Sequence, residues 1–257
     1  MKYIIPIIFV LFSCTENTSQ NKEKNQASEL DGNNSYQDTL STSQQVFKEP
    51  ICKVLIDSLE MKIIESGLVN IKDIDSSILV ELKYSTTDNF IGVDVYGSLI
   101  NAYLQPDVAD KLAKAQSYLK ETDSTLSLLI YDAVRPRSVQ QIMWDTLDMP
   151  LQKKVRFVSN PKNGSIHNFG AAVDITVAKN GIALDMGTPF DDSSLESWPI
   201  REKQFLKEGK ITELQVNNRK TLRRAMGKAG FYNIQSEWWH FNSCNRNKAK
   251  LLYKLVE

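Results

Sequence analysis

The sequence predicts an α+β fold: a single domain with a mainly antiparallel central sheet flanked by helices. Apolar, strand-like runs at Leu126–Tyr131 and Ala171–Val177 are interspersed with segments whose apolar residues recur at helical spacing. They are interspersed without the regular strand-helix-strand rhythm of a parallel sheet. The 257 residues are 42% hydrophobic and 24% charged, enough to bury one sizeable core.

At the N-terminus, Met1-Lys2-Tyr3 and the apolar run Ile4 to Phe12 form a short basic region followed by a hydrophobic one, too short to span a bilayer as a mature helix. Residues 1–13 therefore read as a signal peptide. The next motif, Leu11-Phe12-Ser13-Cys14, resembles the lipobox of bacterial lipoproteins, which implies acylation of Cys14. Several acyl chains on one cysteine give stable attachment. The expectation is a lipid-anchored protein of the bacterial cell envelope, facing the periplasm, with a soluble body. Residues 14–48 are rich in Ser, Thr, Asn, Gln, Glu and Lys and read as a flexible tether. Residues 49–257 form the predicted catalytic domain.

Within that domain Ser77–Tyr84 is strand-like, and Pro106 opens a helix through Val108, Leu112, Ala115 and Leu119. Leu126–Tyr131 follows as a buried strand, and Ser138 is the expected cap of a helix through Ile142, Met143 and Leu147. Strands are expected at Ala171–Val177 and Trp238–Phe241. Between them a helix starts at Asn217 or Asn218, passes Leu222 and Met226, and stops at Gly230. The stretch from Asp185 to Thr212 gives no assignment.

The 31 basic and 31 acidic residues cancel, and no basic stripe interrupts the balance, so nucleic acid is not an expected partner. The three cysteines, Cys14, Cys52 and Cys244, form no CxxC pair, which argues against a zinc knuckle or a thioredoxin-like motif. A Cys52–Cys244 disulfide and free thiols both remain open.

There are only two histidines, and each lies in a cluster containing a carboxylate: Ser165-Ile-His167-Asn-Phe-Gly170-Ala-Ala172-Val-Asp174 and Ser236-Glu237-Trp238-Trp239-His240-Phe241. Hydrolytic zinc takes three ligands from His and carboxylate and keeps a fourth position for water. His167, Asp174 and His240 supply that set, with Glu237 left to accept the water's proton. Gly170 lets the chain turn between His167 and the strand bearing Asp174. Glu237 and His240 are three apart, so a bulge or bend must bring them to one side. Taken alone, a histidine is more often a hydrogen-bonded structural residue than a ligand, and a tryptophan pair more often core than substrate platform. Asp174, in an apolar run, is costly unless paired or on a metal, which favours a ligand.

The pattern S-x-H-x-x-G-x-A-x-D at Ser165–Asp174, with E-W-W-H at Glu237–His240, resembles the zinc D-Ala-D-Ala dipeptidases, within the wider zinc D,D-peptidase group with its hedgehog-like fold. Tyr84, Asn89-Phe90-Ile91-Gly92, Asp132-Ala-Val-Arg135-Pro136 and Met186-Gly187-Thr-Pro-Phe190-Asp191 extend the likeness in order. The resemblance implies one zinc per chain on His167, Asp174 and His240, Glu237 as general base and acid, and Arg135 as the cation stabilising the oxyanion. It implies that Ser165 and Asp191 contact a small dipeptide, with Asp191 on its ammonium. Asp132-Ala133-Val134 departs from the family's usual aspartate-glycine-tyrosine, which leaves that part of the pocket wall unassigned. A D,D-carboxypeptidase or endopeptidase acting on peptidoglycan, or a non-catalytic peptidoglycan-binding lipoprotein, are the other readings open at this stage.

Overall fold

The computed structural model describes residues 59–155 and 157–257; the signal peptide, the tether and Cys52 lie outside the described residues. The strands are β1 (Val69–Asn70), β2 (Leu79–Val80), β3 (Tyr103–Leu104), β4 (Leu126–Asp132), β5 (Ala172–Lys179), β6 (Ile182–Ala183), β7 (Tyr232–Asn233) and β8 (His240–Asn242). The helices are α1 (59–65), α2 (Ile71–Ile74), α3 (Pro106–Thr122), α4 (Arg137–Thr146), α5 (Leu151–Lys154), α6 (Glu202–Lys207), α7 (Glu213–Lys228) and α8 (Arg246–Leu252). Among these described residues no helix is long and apolar enough to cross a membrane.

The main sheet runs β2-β4-β5-β8-β7, with β6 paired to the far end of β5. Only β2·β4 is parallel; β4·β5, β5·β8, β5·β6 and β7·β8 are antiparallel. A separate β1–β3 ribbon is also antiparallel. The α+β architecture with a mostly antiparallel sheet is therefore present. β4 and β5 are buried along nearly their whole length, with α3 packed against β4 and α7 against β5. α3 buries Val108, Leu112, Ala115 and Leu119, the expected stripe, and packs beside α7.

Several boundaries differ from the sequence reading. In Ser77–Tyr84 only Leu79–Val80 pairs; the chain then turns through a 3-10 segment, Lys83–Ser85, that buries Tyr84. α4 begins at Arg137 behind Pro136, whose fixed φ of −52° already suits the entry, so Ser138 lies inside the first turn and does not cap. α7 begins at Glu213, four or five residues before the expected start at Asn217 or Asn218. Thr212 and Gln215 form a reciprocal capping box there, which satisfies two backbone donors at once. Gly230, with φ +88°, ends that helix as expected. Strand pairing expected from Trp238 starts only at His240, because residues 238–239 bend. The unassigned stretch 185–212 holds two 3-10 turns and α6.

Candidate metal centre and substrate cavity

The sheet register builds the centre. Asp132 on β4 lies opposite Asp174 on β5, and Asp174 lies opposite His240 on β8, so three functional side chains form one row across three strands. A register shift between Ile130 and Asp132 brings Asp132 into that row. His167 reaches the same place from a 3-10 turn, His167–Phe169, closed by Gly170 at φ +61°. A Cβ on Gly170 would come within 2.6 Å of Leu68 and 3.3 Å of the Gln105 backbone, so both its handedness and its bareness are required.

Three donor atoms converge. His167 Nε2 is 3.2 Å from His240 Nδ1 and 3.4 Å from Asp174 Oδ1, and His240 Nδ1 is 2.8 Å from Asp174 Oδ1. A tetrahedral ion with bonds of about 2.0–2.1 Å holds its ligand atoms about 3.3 Å apart, so this triangle fits one face of such a site. The outer partners set the ring tautomers. His167 Nδ1 is 2.6 Å from the Ala133 carbonyl, which only accepts, so that nitrogen carries the proton and Nε2 turns its lone pair inward. His240 Nε2 is likewise 3.1 Å from Asn242 Oδ1, leaving Nδ1 for the centre. With both rings neutral, three lone pairs face one point, an arrangement relieved either by a metal ion or, without one, by a proton on His240 Nδ1 shared with Asp174. Burial alone would lower the proton affinity of His240, but the hydrogen bond and charge of Asp174 reverse this and raise its pKa to about 9. Asp174 stays well below the usual carboxylate range in spite of its burial, because His167 and His240 favour its charge. The residues present fit a single divalent metal ion.

These groups open on a cavity of about 680 Å³ that Arg135, Ser165, Asp191 and Glu237 also line. Glu237 precedes the bend at the two tryptophans, and that bend meets the requirement set by its spacing from His240. Burial, with Asp174 nearby, raises the carboxyl of Glu237 above its ordinary value, although His240 and His167 oppose the shift. A carboxyl so placed can take up and return a proton. Trp238 and Trp239 are both buried: Trp238 donates from Nε1 to Thr188 Oγ1 at 2.9 Å, and Trp239 lines the cavity edge-on to Phe190.

Arg135 is buried, with Nε and Nη2 donating to Asp132 Oδ2 at 3.0 and 2.6 Å and its guanidinium 4.9 Å from the ring centre of Tyr84. Ser165 Oγ accepts from the His167 backbone at 3.3 Å. Asp191 has φ +62°, a left-handed conformation uncommon outside glycine that Asp adopts more readily than most residues, and accepts from the Tyr84 hydroxyl at 3.0 and 3.2 Å. Burial and the charge of Asp174 hold the Asp191 carboxyl well above its ordinary value, although Arg135 and Tyr84 oppose this. A cationic group brought alongside would offset that cost.

All seven residues singled out in the sequence therefore face one cavity. The sequence reading missed the roles of Asp132 and Tyr96, and treated Tyr84 only as a matching position. Tyr96 sends its hydroxyl to Asp132 Oδ1 at 2.6 Å and to the Val134 carbonyl at 3.2 Å. It packs edge-on against Tyr84, so an aromatic from a distant segment touches Asp132, the Val134 carbonyl and Tyr84 at once. Cys244 is buried.

A family model described as D-ala-D-ala dipeptidase matches residues 64–254. A D-alanyl-D-alanine dipeptidase of Escherichia coli is 33% identical over 175 residues, covering 68% of this chain and 83% of that protein. One of Enterococcus faecalis is 24% identical over 192 residues, 69% of this chain and 91% of that one. Among solved structures, an LD-carboxypeptidase described for its peptidoglycan recognition aligns with 58% of this chain and 63% of that one at TM-score 0.35 and 19% identity, a partial likeness only.

Proposed function

This chain belongs to the D-Ala-D-Ala dipeptidase family, and on that premise we propose that it hydrolyses D-alanyl-D-alanine at one zinc ion held by His167, Asp174 and His240. The observation that carries the reading is the triangle of inward-facing donor atoms, 2.8 to 3.4 Å on a side, with Glu237 on the same cavity wall. Bound there, zinc would supply Lewis-acid polarisation of the scissile carbonyl and would make water easier to deprotonate near neutral pH.

The protein's own groups do the rest. Glu237 takes the proton of the attacking water and returns it to the leaving amine, a task suited to a carboxyl whose proton affinity is already raised. Arg135 faces the oxygen on which negative charge develops and so acts mainly as the transition state forms. Asp191, braced by Tyr84, receives the substrate ammonium, and the Ser165 hydroxyl meets the peptide. A carboxylate that requires a free amino terminus favours dipeptides over longer chains.

Support for the location comes from the sequence: the hydrophobic run Ile4–Phe12 and the motif Leu11-Phe12-Ser13-Cys14 resemble the signal of a bacterial lipoprotein. We propose that Cys14 anchors the domain to a membrane of the cell envelope, facing the periplasm, where D-alanyl peptides from the wall are available. The deciding experiment measures D-alanine released from free D-Ala-D-Ala and from a murein pentapeptide, each with and without a chelator. Release from the dipeptide that the chelator abolishes is expected. Faster release from the pentapeptide would make the protein a carboxypeptidase, and bound zinc with no hydrolysis of either would make it a binding protein.

A further inference from the structure

We propose that Asp132 is the positioning residue of the reaction: it seats the Arg135 guanidinium so that one nitrogen, Nη1, is presented to the substrate. The inference rests on the function proposed above and adds the residue that makes Arg135 effective.

A guanidinium has five N–H donors in a fixed plane, so fixing some of them fixes the direction of the others. Asp132 Oδ2 takes two along one edge, Nε at 3.0 Å and Nη2 at 2.6 Å. Asp174 Oδ2 stands 3.5 Å from Nη2 on its other side. The Tyr84 ring covers one face, with the guanidinium carbon 4.9 Å from its centre. Among the described residues nothing accepts from Nη1, and Arg135 lines the cavity. Nη1 is the donor left over.

Asp132 is itself held. It is fully buried, its other oxygen accepts from Tyr96 at 2.6 Å, and its backbone is locked by pairing with Asp174. The Arg135 main chain is fixed as well: its N–H donates to the His167 carbonyl at 3.1 Å, and its carbonyl accepts from Asn168 Nδ2 at 2.6 Å. Asp132 thus ties the cation to the metal-ligand row through the strand register. Asp132 also offsets the cost of burying the Arg135 charge, and it does so through the two-donor contact that fixes the guanidinium plane. Misplacing a reacting group by about 1 Å costs on the order of 100-fold in rate.

The test is a double-mutant cycle with chemical rescue on the metal-loaded enzyme. Asp132→Asn keeps the shape but weakens the two-donor seat, and should lower kcat by about 10- to 100-fold with little change in KM or zinc content. Adding Asp132→Asn to Arg135→Ala should cost nothing further, because the group that Asp132 positions is already gone. Millimolar guanidinium should restore part of the turnover of Arg135→Ala, and at least about 10-fold less in the double variant, whose seat is weakened. A merely structural Asp132 would not govern that rescue. Additive losses, equal rescue in both backgrounds, or loss of zinc from Asp132→Asn would overturn this inference alone. Undiminished turnover in Arg135→Ala would overturn it together with the role given to Arg135 above.

Discussion

At one end of the cavity His240 and Asp174 are paired residues on adjacent strands, and backbone ladders place their side chains side by side. At the other end Asp191 stands on a loop, in a left-handed conformation, steadied by the hydroxyl of Tyr84 from more than 100 residues away in sequence. The first arrangement is held by backbone hydrogen bonds in a fixed strand register; the second depends on particular side chains meeting. Position at the metal end is therefore robust, and position at the substrate end is adjustable.

The sharpest way to break this contrast is at the metal end. His240→Ala removes one corner of the donor triangle and should abolish both zinc retention and turnover, read by metal analysis after dialysis and by D-alanine release. A variant that keeps one tight zinc would contradict the ligand set. Next, Glu237→Gln should keep its zinc while losing about 100- to 10,000-fold in kcat. Zinc loss there would mean that Glu237 belongs to the ligand set. At the substrate end, Asp191→Asn should raise KM for the dipeptide by about 10- to 100-fold with a smaller change in kcat. It should also narrow the preference over N-acetylated dipeptide; an unchanged preference would remove Asp191 from ammonium recognition.

The finest effect is a proton count. With its pKa raised to about 9, His240 is protonated in the metal-free protein at neutral pH, and an entering metal must expel that proton. Zinc binding at pH 7 should therefore release about one proton from this ring, and apparent affinity should climb with pH until about 9, where the ring is already neutral. Calorimetry in buffers of different ionisation enthalpy reads the count; no release at pH 7 would mean that the proton is absent from the centre.

The legibility of the molecule divides along the same line. The α3 stripe, the β4 and β5 runs and the stop at Gly230 were visible because they depend on local periodicity and on one residue's backbone freedom. The starts of α4 and α7 were misread because Pro136 and the Thr212–Gln215 box compete with equally plausible caps nearby. Stretch 185–212 carries little period, since its turns are held by contacts such as Arg219 with the Met186 and Glu196 carbonyls.

What the sequence determined by itself was a set of chemical types in short spacings: two histidines, each within a few residues of a carboxylate, with one glycine where a turn needs it. Scarcity made this informative, because a site needing two imidazoles had no other pair to use. Tertiary structure alone decided that Asp132, Asp174 and His240 share one row, and that Tyr84 and Tyr96 brace Asp191 and Asp132. Those relations arise from strand register and from contacts between distant segments. Local spacing carries no record of either, because the free energy that fixes them comes from the packed whole.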